Sequence, residues 1–142
     1  GHPGVDVSPL AKVASGGELS RIGLAIFTLT SRNTSVPTLI FDEVDSGVGG
    51  ATGEVVGRMI KQLGLTRQVL CVTHLPQVAA CGDHHLKVEK VSDGIETVSY
   101  LRELNPTQRV EEIARMLGGL LITQKTKVLA EEMVKANLSQ EE

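Results

Sequence analysis

Pro37-Thr38-Leu39-Ile40-Phe41-Asp42-Glu43 is the stretch on which the fold turns. A short apolar run follows a proline and is cut off by two adjacent carboxylates. Unbroken apolar residues of this length read as a strand buried on both faces, as in a parallel sheet, with its C-terminal end at a site. The carboxylates therefore sit at a strand tip. Downstream, the Gly-rich loop Ser46 to Gly50 leads into a helix from Ala51 to Leu63, whose apolar face is Val55, Val56, Met59, Ile60 and Leu63, with Gly64 as its stop. A second apolar run, Gln68 to Thr73, is another buried strand, and His74-Leu75-Pro76 opens a short helix with proline in its first turn. Strand, helix, strand, helix implies parallel βαβ winding.

Outside that core the texture changes. Upstream, Glu18 to about Ser31 places Leu19, Ile22, Ile26 and Leu29 at helical spacing, behind Ser15-Gly16-Gly17. Beyond Gly82, Leu86 to Val91 and Ile95 to Leu101 flank Ser92-Asp93-Gly94 and predict an edge hairpin. Asn105-Pro106 caps a helix whose Val110, Ile113, Ala114 and Leu117 share a face and which ends at Gly118-Gly119. A last helix runs roughly from Thr123 to Asn137. With no repeat or low-complexity segment, residues 1–142 read as one domain, residues 1–4 being a cut end or tag remnant.

The bulk properties agree. In 142 residues, 41% are hydrophobic but only one Tyr, two Phe and no Trp occur, so the core is aliphatic. Fourteen basic and seventeen acidic residues leave a net charge of −3, which gives no electrostatic footprint for a nucleic-acid surface. Cys71 and Cys81 lie in and just after an apolar strand, and neither a secretory signal nor a membrane span of about 20 apolar residues is present. A reducing cytoplasm is the expected setting.

Three short motifs can carry chemistry, and each also has a bland reading. Ser15-Gly16-Gly17-Glu18 puts two glycines and a hydroxyl at a helix opening, where free N–H groups favour a phosphate; it is equally an ordinary capped glycine turn. Asp42-Glu43 can bind a cation and activate water, or can end a strand as solvated acids. His74, at the tip of the next strand, can meet them in a crevice or be structural. Cys81-x-x-His84-His85 invites zinc, but no second ligand pair of suitable spacing follows, so a polar turn is expected. Lys87, Lys90, Lys125 and Lys127 read as solvated charges.

In this order, 25 residues apart from Gly17 to Asp42 and 31 from Glu43 to His74, the three motifs resemble the ABC ATPase superfamily. Ser15-Gly16-Gly17-Glu18-Leu19-Ser20-Arg21 matches its signature loop, Leu39 to Glu43 its Walker B strand, Val44-Asp45-Ser46-Gly47 its D-loop, and His74 its switch histidine. Transporters usually follow the acids with Pro-Thr-Ser and SMC proteins with Val-Asp-Ala-Ala-Leu-Asp. Here Val44-Asp45-Ser46-Gly47-Val48-Gly49-Gly50, with Leu10 to Ala14 and Thr73 to Ala80, is similar to an SMC-like DNA repair branch, over roughly Pro9 to Gly119. The Leu-Asp ending is missing, so no role passes to Val48, Gly49 or Gly50.

The resemblance implies an α/β fold: the C-terminal lobe of an ABC-type ATPase head, mostly parallel sheet with flanking helices and an edge β-hairpin. It implies ATP and Mg2+, with Asp42 on the metal, Glu43 deprotonating the attacking water and His74 at the γ-phosphate. Ser15, Gly16, Gly17, Glu18 and Asp45 bind nucleotide, the signature residues acting on the ATP of a second head. No G-x-x-x-x-G-K-[ST] phosphate loop occurs in the chain. The family carries that loop in an N-terminal head half beyond a long coiled coil, so this chain is expected to be inactive alone. The partners implied are that half, a second copy across ATP, and DNA through the whole protein, in the cytoplasm and at the nucleoid, with no membrane. Another ABC-superfamily head, or a non-catalytic dimerisation module, stays open as an alternative.

Overall fold

The structure is a computed structural model that describes residues 36–42 and 49–139. The helix expected from Glu18 to Ser31 lies outside the described residues. The chain divides into two compact units, Gly1–Cys81 and Gly82–Glu142.

In the first unit, β1 (Thr38–Asp42), α1 (Gly50–Leu63), β2 (Gln68–Val72) and α2 (Pro76–Ala79) follow in order. β1 and β2 pair in parallel, from Thr38 opposite Gln68 to Asp42 opposite Val72, with α1 as the crossover that parallel pairing requires. Because side chains alternate across a strand, Leu39 and Phe41 face one way and Ile40 the other. Leu39 joins Val56 and Leu63 of α1 in a buried cluster, with Phe41, Met59, Ile60 and Val69 packed against it.

The opposite sheet face departs from the sequence reading. Both strands are expected to be buried on two faces, yet Ile40 is 71% exposed, with Leu70 at 43% and Val72 at 59%. Among the described residues only one face of the pair is covered. Covering each of these side chains would be worth about 1.5–3 kcal/mol.

Two details of α1 also differ. Val55, assigned to the apolar face, is exposed, and Gly53 and Gly57 are buried instead. Gly64 caps the helix in a right-handed conformation with φ −67°, so a turn rather than a left-handed stop ends α1, and its N–H donates to the Ile60 carbonyl.

In the second unit, β3 (Leu86–Ser92) and β4 (Thr97–Glu103) form an antiparallel two-stranded sheet, Leu86 opposite Glu103 and Ser92 opposite Thr97. The turn is longer than Ser92-Asp93-Gly94. Asp93 Oδ1 accepts from the N–H groups of Ile95 (2.9 Å) and Glu96 (2.8 Å), and the Asp93 N–H donates to the Glu96 carbonyl. This Asx-type arrangement keeps Ile95 out of the ladder, and Gly94 takes the positive φ of +91° that the reversal requires.

Helix α3 (Pro106–Gly118) opens on a capping box: the Asn105 side chain accepts from the Gln108 N–H at 2.8 Å, and the Gln108 side chain accepts from the Asn105 N–H at 3.0 Å. It ends at Gly119, whose φ of +64° is the left-handed position glycine suits. Helix α4 (Gln124–Ser139) opens behind Thr123, whose hydroxyl accepts the N–H of Thr126 in the first turn while the Thr126 hydroxyl accepts the Thr123 N–H. Ile113, Ala114 and Ala130 are fully buried.

Candidate functional site

The register of β1 and β2 decides what can meet at the strand tips. Asp42 stands opposite Val72, and His74 follows two residues later, so both belong to the C-terminal ends of adjacent parallel strands. Strands so paired run about 4.8 Å apart and rise about 3.3 Å per residue, which keeps the two positions within reach of one small ligand. Both side chains are exposed. The structure brings these two residues to one edge; Ser15, Gly16, Gly17, Glu18, Glu43 and Asp45 lie outside the described residues.

The chain around His74 is held locally. Thr73 Oγ1 accepts the Leu75 N–H at 3.0 Å, a hydroxyl turn that brackets His74. Leu75 is extended (φ −96°, ψ 127°) and serves as N-cap of α2, with Pro76 at the first helical positions, where its missing N–H costs nothing. The helix is one turn long, and just beyond it Cys81 Sγ donates to the Gln77 carbonyl at 3.3 Å.

α2 is pressed against α1 along a seam of glycines that the periodicity argument passed over. A Cβ on Gly57 would lie 2.7 Å from Cys81 Sγ and 3.2 Å from Val78 Cα; one on Gly53 would lie 3.0 Å from Leu75 Cδ1. Only glycine permits this approach. The seam ties the segment that follows His74 to the helix that follows the carboxylates. Its sequence signal was present in the spacing of Gly50, Gly53 and Gly57, which lines one helical stripe.

A charged cluster in the second unit was also missed. Glu112 is 7% exposed and Arg109 8%. The Glu112 carboxylate accepts from Arg115 Nε at 2.7 Å and also from Arg115 Nη2, and Lys87 Nζ lies 2.8 Å from Glu112 Oε2. Lys87 is therefore a partner of a buried acid, against the expectation of a solvated charge. Arg109 Nη2 donates to the Gly82 carbonyl. Burial raises the Glu112 pKa, but hydrogen bonds from Arg115 and Lys87 more than offset it and hold the carboxyl below its ordinary value. Burial first, then the Arg109 charge, lowers the pKa of the His85 imidazole. The Glu112 carboxylate is thus paired within its own unit, as a buried charge requires.

The residues of the zinc reading have other engagements: Cys81 is buried, and His84 Nδ1 lies 3.3 Å from Glu103 Oε1. Among the described residues no group of three or more His, Cys, Asp or Glu is gathered to hold a metal.

No family model matches the chain. The DNA repair protein RecN of Vibrio cholerae is 50% identical over 135 residues, 95% of this chain and 24% of the relative. The Haemophilus influenzae RecN is 52% identical over 131 residues (92% and 24%), and the Deinococcus radiodurans RecN 52% over 118 (83% and 21%). The chain thus spans about a quarter of the length of these curated relatives. Among solved structures, one from work on ATP-driven dimerization and DNA-stimulated activation of SMC ATPases superposes with a TM-score of 0.62 at 22% identity, covering 78% of this chain and 66% of that one. That likeness speaks for the fold: a mixed α/β arrangement like that of an SMC ATPase. With about half its residues identical over more than nine-tenths of its length to two of these proteins, the chain belongs to the RecN family of DNA repair proteins.

Proposed function

We propose that this chain is one part of the ATP-hydrolysing head of a DNA repair protein. In this reading ATP binding closes two heads and hydrolysis reopens them. The observation that carries the reading is the parallel register of β1 and β2, which sets Asp42 beside the end of the His74 strand in a chain half identical to RecN.

The site divides its work by residue. The Asp42 carboxylate, exposed at the end of β1, is a hard oxygen donor of the kind Mg2+ takes. Mg2+ held there would offset negative charge on the phosphates. Glu43, next in sequence, accepts a proton from the attacking water, and His74 donates a hydrogen bond to the γ-phosphate. Ser15, Gly16, Gly17 and Glu18 offer a helix opening to the nucleotide of the second copy, and Asp45 borders it. The phosphate loop comes from an N-terminal head half. Docking of that half also accounts for the bare apolar face of Ile40, Leu70 and Val72, because parallel sheets are ordinarily covered on both sides. Alone, the chain lacks turnover.

Closure of two heads then depends on phosphate contacts made only while ATP is intact, so hydrolysis is what releases the pair. DNA engagement is the output of the whole protein, at the nucleoid in the cytoplasm; no described helix is long and apolar enough to cross a membrane.

The test uses full-length protein carrying Ser15→Arg. ATP binding by the monomer is expected to persist while ATP-driven dimerisation, measured by light scattering, disappears. Loss of ATP binding by the monomer would place the loop on its own nucleotide and overturn the trans assignment.

A further inference from the structure

The side chain of Gln77 joins the two halves of the proposed site. It follows His74 by three residues, and its carboxamide lies on the first turn of α1. A Cβ at Gly50 would stand 3.1 Å from Gln77 Nε2, 3.4 Å from Cδ and 3.9 Å from Cγ, and a Cβ at Gly53 would stand 3.7 Å from Gln77 Cβ. The whole side chain is therefore laid along that turn. The turn has no help from its own sequence: the N-cap Gly49 supplies no side-chain hydrogen bond, and no acid occurs in the first turn. Helix openings leave N–H groups in need of an acceptor. Gln77 Oε1 is buried with no hydrogen-bond partner, in a protein class where such atoms are rare enough to require a reason. Rotation about the last side-chain torsion exchanges the two ends of the carboxamide, so the same residue can present its acceptor to the α1 opening.

We infer that Gln77 is a positioning residue for ATP hydrolysis. It ties the start of α1, eight residues beyond Asp42, to the segment that carries His74. The inference rests on the function proposed above. Gln77 touches no substrate; it fixes the separation of two strand ends that the chemistry needs together. When the Oε1 acceptor turns onto the α1 opening, the uncapped helix gains a cap and the burial of the carboxamide is accounted for. The contact can thus favour one setting of α1 against α2.

Three variants of the full-length protein test this. Gln77→Leu keeps the volume and removes the acceptor; kcat for ATP is expected to fall roughly 10- to 100-fold, the scale of an ångström-sized misplacement, with KM and melting temperature unchanged. Gln77→Glu keeps the acceptor against a helix N-terminus that favours negative charge, and is expected to retain turnover near the starting value. Gly50→Ala displaces the carboxamide without deleting it and is expected to lower kcat as Gln77→Leu does. Unchanged kcat in Gln77→Leu, a loss that tracks a lower melting temperature, a rise in KM alone, or a Gln77→Glu variant no better than Gln77→Leu would each overturn the inference. Glu43→Gln runs beside them as control. If it too turns over ATP normally, the proposed site itself falls and the inference with it, whereas an inactive control with an active Gln77→Leu removes the inference alone.

Discussion

In the unit of residues 1–81, the apolar side chains Ile40, Leu70 and Val72 stay exposed on one sheet face, whereas in the unit of residues 82–142 the charged side chains Arg109 and Glu112 are buried and paired. Each reverses the usual distribution, for different reasons. Buried charges are tolerated because Arg115 and Lys87 meet Glu112 and the Gly82 carbonyl meets Arg109, all within one unit. Among the described residues nothing gives the exposed aliphatic side chains of the parallel pair a comparable answer. Among the described residues the first unit presents an apolar face still to be covered, the second a buried carboxylate already answered.

Placing a charge on the bare face should break this contrast most strongly. Ile40→Asp in the full-length protein is expected to lower unfolding stability by on the order of 4 kcal/mol, because a covered face would bury an unpaired carboxylate. In the present chain alone the same change should cost less than about 1 kcal/mol, as at an exposed position. Denaturant titration of both proteins compares them, and equal small losses would mean that nothing covers the face.

Removing one partner from the buried ionic group comes next. Glu112→Ala should cost on the order of 3 kcal/mol, since it strips the acceptor from both Arg115 and the half-buried Lys87. Lys87→Met, which keeps the aliphatic stem, should cost less. A thermal melt separates the two, and an inert Glu112→Ala would show the cluster to be incidental.

A smaller effect is expected at the glycine seam. Gly57→Ala forces a methyl to within 2.7 Å of Cys81 Sγ, so α1 and α2 must part. The cost should be about 1–3 kcal/mol. Adding Cys81→Ala should restore only part of it, because the Val78 backbone would remain 3.2 Å away. Full recovery in the double variant would place the constraint on the sulfur alone.

The smallest prediction concerns pH. The folded pKa of His85 lies below its ordinary 6.5, so the unfolded chain takes up the proton first and stability falls with acid. Its contribution is complete above about pH 6.5 and is lost as pH drops toward the folded value. Glu112 acts with the same sign lower down: its stabilisation is present above its ordinary 4.5 and lost as pH falls through its depressed folded value. Melting temperature should therefore decline from pH 7 to pH 5, and His85→Gln should flatten that decline.

Much of the first unit was legible because its signals are local. The apolar runs of β1 and β2, the proline before β1 and the proline after His74 all report on the backbone within a few residues. Asn105-Pro106 announced its helix for the same reason. What escaped depends on a distant partner. Lys87 reads as a surface charge until Glu112 is placed beside it, and Ile95 reads as a strand residue until Asp93 captures its N–H. Val55 and Gly57 both lie in α1, but hydrophobic periodicity weighs the valine and ignores the glycine, although it is the glycine that packs. Gln77 escaped because a polar residue in a short helix carries no periodic signal at all.

Single-turnover ATP hydrolysis by the full-length protein carrying Glu43→Gln tests the account most directly. Loss of the base should slow the step by roughly 10²- to 10⁴-fold while ATP-driven dimerisation persists. Turnover at the unmodified rate would contradict it.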